Sequence, residues 1–214
     1  MTVKPFTVSP FAENCYVCHQ QGEAVLIDPG TATEEERRAV LDYLTRNSLT
    51  VRHLLLTHAH IDHVLGCAYF TRQFGMRWRL HPAELPLYEA VELQAQLFGV
   101  EVGRLPEPEL TLEEGTAVAF GGARWETLHT PGHSPGHVCF YDRDNGFVIG
   151  GDVLFQGSIG RTDLWQGSMP QLLGSIREKL FPLPDDTTVH PGHGPSTTVG
   201  HEKRTNPFLI GENA

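Results

Sequence analysis

Histidine and aspartate crowd one short stretch of this sequence, where His58-x-His60-x-Asp62-His63 sets four ligand-type side chains within six residues. Three more stand alone beside glycine: His133 in Pro131-Gly132-His133, Asp152 in Gly150-Gly151-Asp152, and His193 in Pro191-Gly192-His193-Gly194. Imidazole and carboxylate without thiolate suit zinc, and also iron or manganese. One catalytic zinc takes three protein ligands and a water, so seven candidates are too many for one ion. They are right for two divalent ions if one carboxylate bridges. Water between two such ions, about 3.5–4 Å apart, loses its proton near neutral pH and becomes a nucleophile. A single histidine is more often an ordinary side chain than a ligand, and His19, His53, His81, His129, His137, His190 and His201 are read that way.

Strand ends must position these residues. Val3–Val8, Cys15–His19 and Ala24–Asp28 are short, partly alternating runs broken by Pro, Asn and Gly, which reads as strands joined by tight turns. Thr33 followed by three glutamates starts a helix running to about Asn47. The run His53–Thr57 is continuously apolar through Leu54, Leu55 and Leu56, as expected for a strand buried on both faces, and leads straight into His58. Helices are expected over Val64–Phe74, Pro82–Leu97, Met169–Phe181 and Thr197–Arg204. Strands are expected over Ala117–Phe120, Arg124–His129, His137–Asp142, Phe147–Ile149 and Thr188–His190, with a hairpin turn at Asp144-Asn145-Gly146. Both halves run from strands to a polar His/Asp cluster to a helix, so residues 1–214 read as a single domain built from two similar halves.

Composition narrows the function classes. Sixteen basic against twenty-six acidic residues leave a net charge of −10, which argues against a nucleic-acid partner. No run of eighteen apolar residues exists to span a membrane, and the amino terminus has no secretion signal pattern, so a cytoplasmic location and no membrane partner are expected. Cys15-x-x-Cys18 lies in a strand, where residues three apart face opposite ways, and no second pair completes a zinc site.

The pattern Thr57-His58-x-His60-x-Asp62-His63, then Pro131-Gly132-His133, Gly151-Asp152 and Pro191-Gly192-His193-Gly194, resembles the metallo-β-lactamase fold superfamily. More narrowly it is similar to the small hydroxyacylglutathione hydrolase (glyoxalase II) group, from Glu13-Asn14-Cys15-Tyr16 to Asn206-Pro207-Phe208, with Leu154–Asp163 resembling the short bacterial branch. The resemblance implies an α/β (α+β) chain folded as a four-layer αββα sandwich. It implies that His58, His60 and His133 hold one metal, Asp62, His63 and His193 the other, with Asp152 bridging and Asp62 also orienting the nucleophile. The implied activity is hydrolysis of a small-molecule thioester such as S-lactoylglutathione. Arg161 falls where the group has a basic residue near the glutathione glycine carboxylate, while Asp163 replaces an aromatic. The alternatives on this fold are a persulfide dioxygenase with one iron on His58, His133 and Asp152, a lactonase, a β-lactamase or a nuclease. A non-catalytic metal-binding module is the remaining reading.

Overall fold

The computed structural model describes residues 1–210, so the last four residues of the expected 1–214 domain lie outside the described residues. The chain divides into two compact units, Met1–Thr111 with Ala119–Arg124, and Leu112–Val118 with Trp125 onward. Each is built on a six-stranded sheet.

In the first unit, β1 (Thr2–Val8), β2 (Glu13–Gln20) and β3 (Glu23–Ile27) form an antiparallel meander. Helix α1 (Glu34–Arg46) then carries the chain to β4 (Thr50–Leu55), which lies parallel to β3. The helix starts where the sequence says it must. Thr33 accepts from the Glu36 N–H while the Glu36 carboxylate takes the Thr33 N–H, a reciprocal cap. Strand β4 starts earlier than the apolar run suggests, and Thr50–His53 are partly exposed, so only its last residues are buried on both faces.

Helices α2 (Ile61–Val64) and α3 (Cys67–Phe74) replace the single expected helix over Val64–Phe74. The break falls at Gly66, whose N–H donates to the Pro29 carbonyl at 2.7 Å. A Cβ there would run into that carbonyl and the Thr31 side chain. Strand β5 (Trp78–Leu80), helices α4 (Leu85–Glu89) and α5 (Val91–Phe98), and strand β6 (Glu109–Leu110) complete the unit. The expected helix over Pro82–Leu97 is thus a 3₁₀ turn at Pro82–Glu84 followed by two short helices, with Pro86 in the first turn of α4. Val40, Leu44, Leu54, Leu56, Phe70, Trp78 and Leu87 share one buried core.

The second sheet has β7 (Ala117–Phe120), β8 (Ala123–His129), β9 (Val138–Asp142) and β10 (Phe147–Gly151) in series. The two-stranded ribbon β11 (Leu154–Phe155) and β12 (Ser158–Ile159) and helix α6 (Met169–Ser175) lead to β13 (Thr188–Pro191), which pairs parallel to β10. Helix α6 ends earlier than expected, because Ile176–Leu180 widens into a π turn. Strand β14 (Thr197–Thr198) and helix α7 (Val199–Thr205) close the chain. Leu128, Tyr141, Val148, Val153, Leu172, Ile176 and Val189 form this unit's core. All four cysteines are free and buried, and Cys15 and Cys18 make no disulfide. Burial pushes the Cys15 thiol well up, so it stays protonated.

Candidate metal centre

Parallel strand pairs deliver the site residues. Strands β3 and β4 run parallel with Ile27 beside Leu55, so Asp28 and the Thr57–His63 segment emerge at the same edge. Asp28 turns out of its strand with φ at +48°, a left-handed conformation uncommon for an aspartate. Its two oxygens meet the incoming segment: Oδ1 accepts from the Thr57 N–H at 2.7 Å, and Oδ2 from the Thr57 hydroxyl at 2.6 Å. That hydroxyl has one proton and has given it to Asp28. Its lone pair therefore accepts from Nδ1–H of His58, 3.0 Å away, which puts the ring's available lone pair on Nε2. Asp28 Oδ2 also lies 3.1 Å from Nδ1 of His63.

The imidazoles gather. Ring centroids of His58 and His60 are 4.8 Å apart, and those of His58 and His63 are 4.1 Å apart. Asp62 Oδ2 stands 3.7 Å from His63 Nε2. His58 and His63 are fully buried, and His60 nearly so.

Parallel strands act again in the second unit. Gly151 of β10 pairs with Pro191 of β13, so Asp152 and His193 leave the sheet side by side. Strand β9 runs antiparallel to β10, which brings the preceding loop, with His133, to that same end. Asp152 Oδ2 is 3.6 Å from Nε2 of His133 and 3.6 Å from Nε2 of His193. Nδ1 of His133 donates to the Arg161 carbonyl at 2.8 Å, and since a carbonyl only accepts, the ring lone pair lies on Nε2.

Separations of 3.6–3.7 Å are too long for hydrogen bonds. They suit two ligands of one ion: donors about 2.0–2.1 Å from a metal at a tetrahedral angle lie about 3.3 Å from each other. Fixed tautomers with Nε2 presented are the usual outer-sphere support of a metal-binding histidine. The donors gathered in each unit therefore have the chemistry and spacing of metal ligands.

Sequence reasoning missed several contributors. His137, read as ordinary, is fully buried, and its Nε2 accepts from the Asp152 N–H at 3.0 Å. Its Nδ1–H consequently points at Thr130 Oγ1, 3.0 Å away. Glu84 and Gln94, both buried, bond the backbone at Ala59 and Ile61. Nothing in the sequence singled out Glu84 and Gln94, because Glu89, Glu92 and Gln96 stand in the same stretch.

Arg161 stands differently from the ligands. Its guanidinium is exposed and grips Asp163 through two bonds, Nε to Oδ1 at 2.7 Å and Nη2 to Oδ2 at 2.8 Å. The pairing holds the Asp163 carboxyl down at about 2. Arg161's carbonyl, through His133, is what touches the candidate centre.

Residues 8–193 match the model of the metallo-beta-lactamase superfamily. The chain belongs to that superfamily, and its two sheets with their helices have that fold. It is 38% identical to hydroxyacylglutathione hydrolase GloC of Haemophilus influenzae, over 98% of each chain. Among solved structures it is similar to TTHA1623 in a di-iron-bound form, at 45% identity and TM-score 0.86, covering 97% of this chain and 100% of that one. It is equally similar in fold to the BLEG-1 B3 metallo-beta-lactamase, at 38% identity and TM-score 0.87, covering 98% and 100%. No helix among the described residues is long and apolar enough to cross a membrane.

Proposed function

We propose that this protein hydrolyses a small-molecule thioester, of the hydroxyacylglutathione type, at a centre for two divalent metal ions, with the two units acting as one domain. The observation that carries the reading is Asp152, whose Oδ2 stands at one ligand-to-ligand distance from two histidine nitrogens. A carboxylate oxygen shared in that way is what a bridging ligand requires. His58, His60 and His133 would hold the first ion, and Asp62, His63 and His193 the second. When bound, such a pair of ions would lower the pKa of a water to about 7 and polarise the substrate carbonyl.

The chain's own residues do the rest. Asp28 and Thr57 hold the tautomer of His58, Arg161's carbonyl holds that of His133, and His137 fixes the backbone from which Asp152 projects. Asp62, the most exposed carboxylate of its cluster, would accept a hydrogen bond from the attacking water and aim its lone pair. The similarity to GloC at 38% over the full length supports the thioester. Similarity to BLEG-1 at the same identity supports a second reading, hydrolysis of a β-lactam amide at the same centre. Histidine and carboxylate without thiolate suit zinc and iron alike, and the di-iron form of TTHA1623 makes iron a candidate beside zinc.

Metal analysis of protein purified without chelator should approach two ions per chain. An activity panel of S-lactoylglutathione, glutathione persulfide, a lactone and a β-lactam should show the thioester preferred. One tightly held ion with full activity would sink the dinuclear reading, and preference for another substrate would sink the thioester.

Arg161 separates substrate recognition from scaffold. If its guanidinium releases Asp163 to take a substrate carboxylate, Arg161→Ala should raise KM for a glutathione thioester roughly tenfold with little change in kcat. A thioester without that carboxylate should be indifferent. Equal effects on both would leave Arg161 as the partner of Asp163 only.

A further inference from the structure

We infer that Gln94 is a positioning residue for the metal ligands: its side-chain amide, assisted by Glu84, fixes the turn at which the His58–His60 segment passes from extended chain into helix α2. The inference rests on the two-ion reading above.

The ligand motif asks for two backbone geometries in succession. His58 and His60 share a face only if the chain between them is extended, because side chains alternate along such a segment. His60 is extended, with φ −69° and ψ 151°. Asp62 and His63 then come off the first turn of α2, which begins at Ile61. Strand β4 has already ended at Leu55, and α2 is four residues long with no side-chain cap from its own N-terminal residue. A helix that short is marginal on its own. Something outside the segment must hold it.

Gln94 does so from α5. Its Oε1 accepts from the Ile61 N–H at 3.0 Å, and its Nε2 donates to the Ala59 carbonyl at 3.2 Å. The two bonds straddle His60 as those of a parallel neighbouring strand would, one to the residue before and one to the residue after. The second Nε2 proton goes to the Leu87 carbonyl at 2.9 Å, so both protons and the oxygen have fixed partners and the amide has one orientation. Glu84 accepts from the Ala59 N–H at 2.9 Å on the same stretch. Ala59 thus has its N–H held by Glu84 and its carbonyl held by Gln94, while its neighbours carry the ligands. No other residue type of that length offers a donor and an acceptor on one planar group.

The test uses the full chain, stripped of metal with a chelator and titrated with Co²⁺, followed by visible absorption and by competition with a coloured chelator. Wild-type protein should take up two equivalents. Gln94→Met keeps the length and helix preference but loses every bond, and Gln94→Asn keeps the amide but is one methylene short. Both should weaken Co²⁺ binding by about tenfold to a hundredfold, the usual cost of losing outer-sphere support, and should shift the absorption bands. Leu93→Ala, on the exposed side of the same helix, should match wild type. If either Gln94 variant folds and binds Co²⁺ with wild-type affinity and spectrum, the inference is overturned. A lower thermal midpoint of the metal-free variants with an unchanged cobalt spectrum overturns it too, since that is what a merely structural residue would give. If wild-type protein takes up no Co²⁺, it is the two-ion reading itself that fails.

Discussion

Asp152→Ala will empty both halves of the centre and lower thioester hydrolysis by roughly 10⁴-fold or more, about 5 kcal/mol of barrier. The size follows from what the ions contribute. Lowering the pKa of a water to about 7 raises its ionised fraction at neutral pH by many powers of ten, and the weaker basicity of the resulting nucleophile offsets only part of that gain. Among the described residues, Asp152 is the carboxylate set against histidines that would serve different ions, His133 and His193. Its loss leaves each of them without the oxygen that spans the pair. The variant should still fold, because the bond that ties this corner together is made by the Asp152 backbone N–H to His137, not by the side chain. Element analysis and steady-state rates on the same preparation check the expectation. A variant holding two ions, or keeping more than about a tenth of the rate, would mean that the bridge lies elsewhere.

Asp62→Ala should differ in kind. The proposed first set, His58, His60, His133 and Asp152, is untouched, so one ion should stay while the second is held only by His63, His193 and the bridge. Metal content should fall from two toward one. The rate should still drop by several powers of ten, because the water would lose both its second ion and the carboxylate that aims it. The drop should appear in kcat more than in KM, since the lost interaction serves the transition state. Comparing the two variants decides the ligand assignment. If Asp62→Ala lost both ions while Asp152→Ala kept one, Asp62 would be the bridge and the roles would have to be exchanged.

What the sequence determined by itself was the local part of the problem. His58, His60, Asp62 and His63 lie within six residues, so their spacing alone states that they can share a site. Glycine beside His133, Asp152 and His193 marks tight exits from strands, and the α1 cap is legible because Thr33 and Glu36 are three residues apart. The helix boundaries after His63 were not legible. Gly66 breaks a helix because of a carbonyl at Pro29 and a side chain at Thr31, far back in the chain. The supports of the ligands were hidden for the same reason. Asp28 reaches Thr57 across 29 residues, Glu84 reaches Ala59 across 25, and Gln94 reaches Ile61 across 33. Parallel pairing of β3 with β4 turns the first of those separations into a contact of 2.7 Å, and the packing of the helical stretch after β5 against the ligand segment turns the other two into contacts of 2.9 and 3.0 Å. Arg161 shows the same division. Its residue type suggested an anion contact, whereas the fold closes its guanidinium on Asp163, two residues away, and uses its carbonyl to hold His133. Ligand identity is a property of side-chain chemistry and short spacing, which a sequence displays. Which tautomer each ligand adopts, and which backbone holds it there, depends on hydrogen-bond partners that only the closed sheet brings within reach.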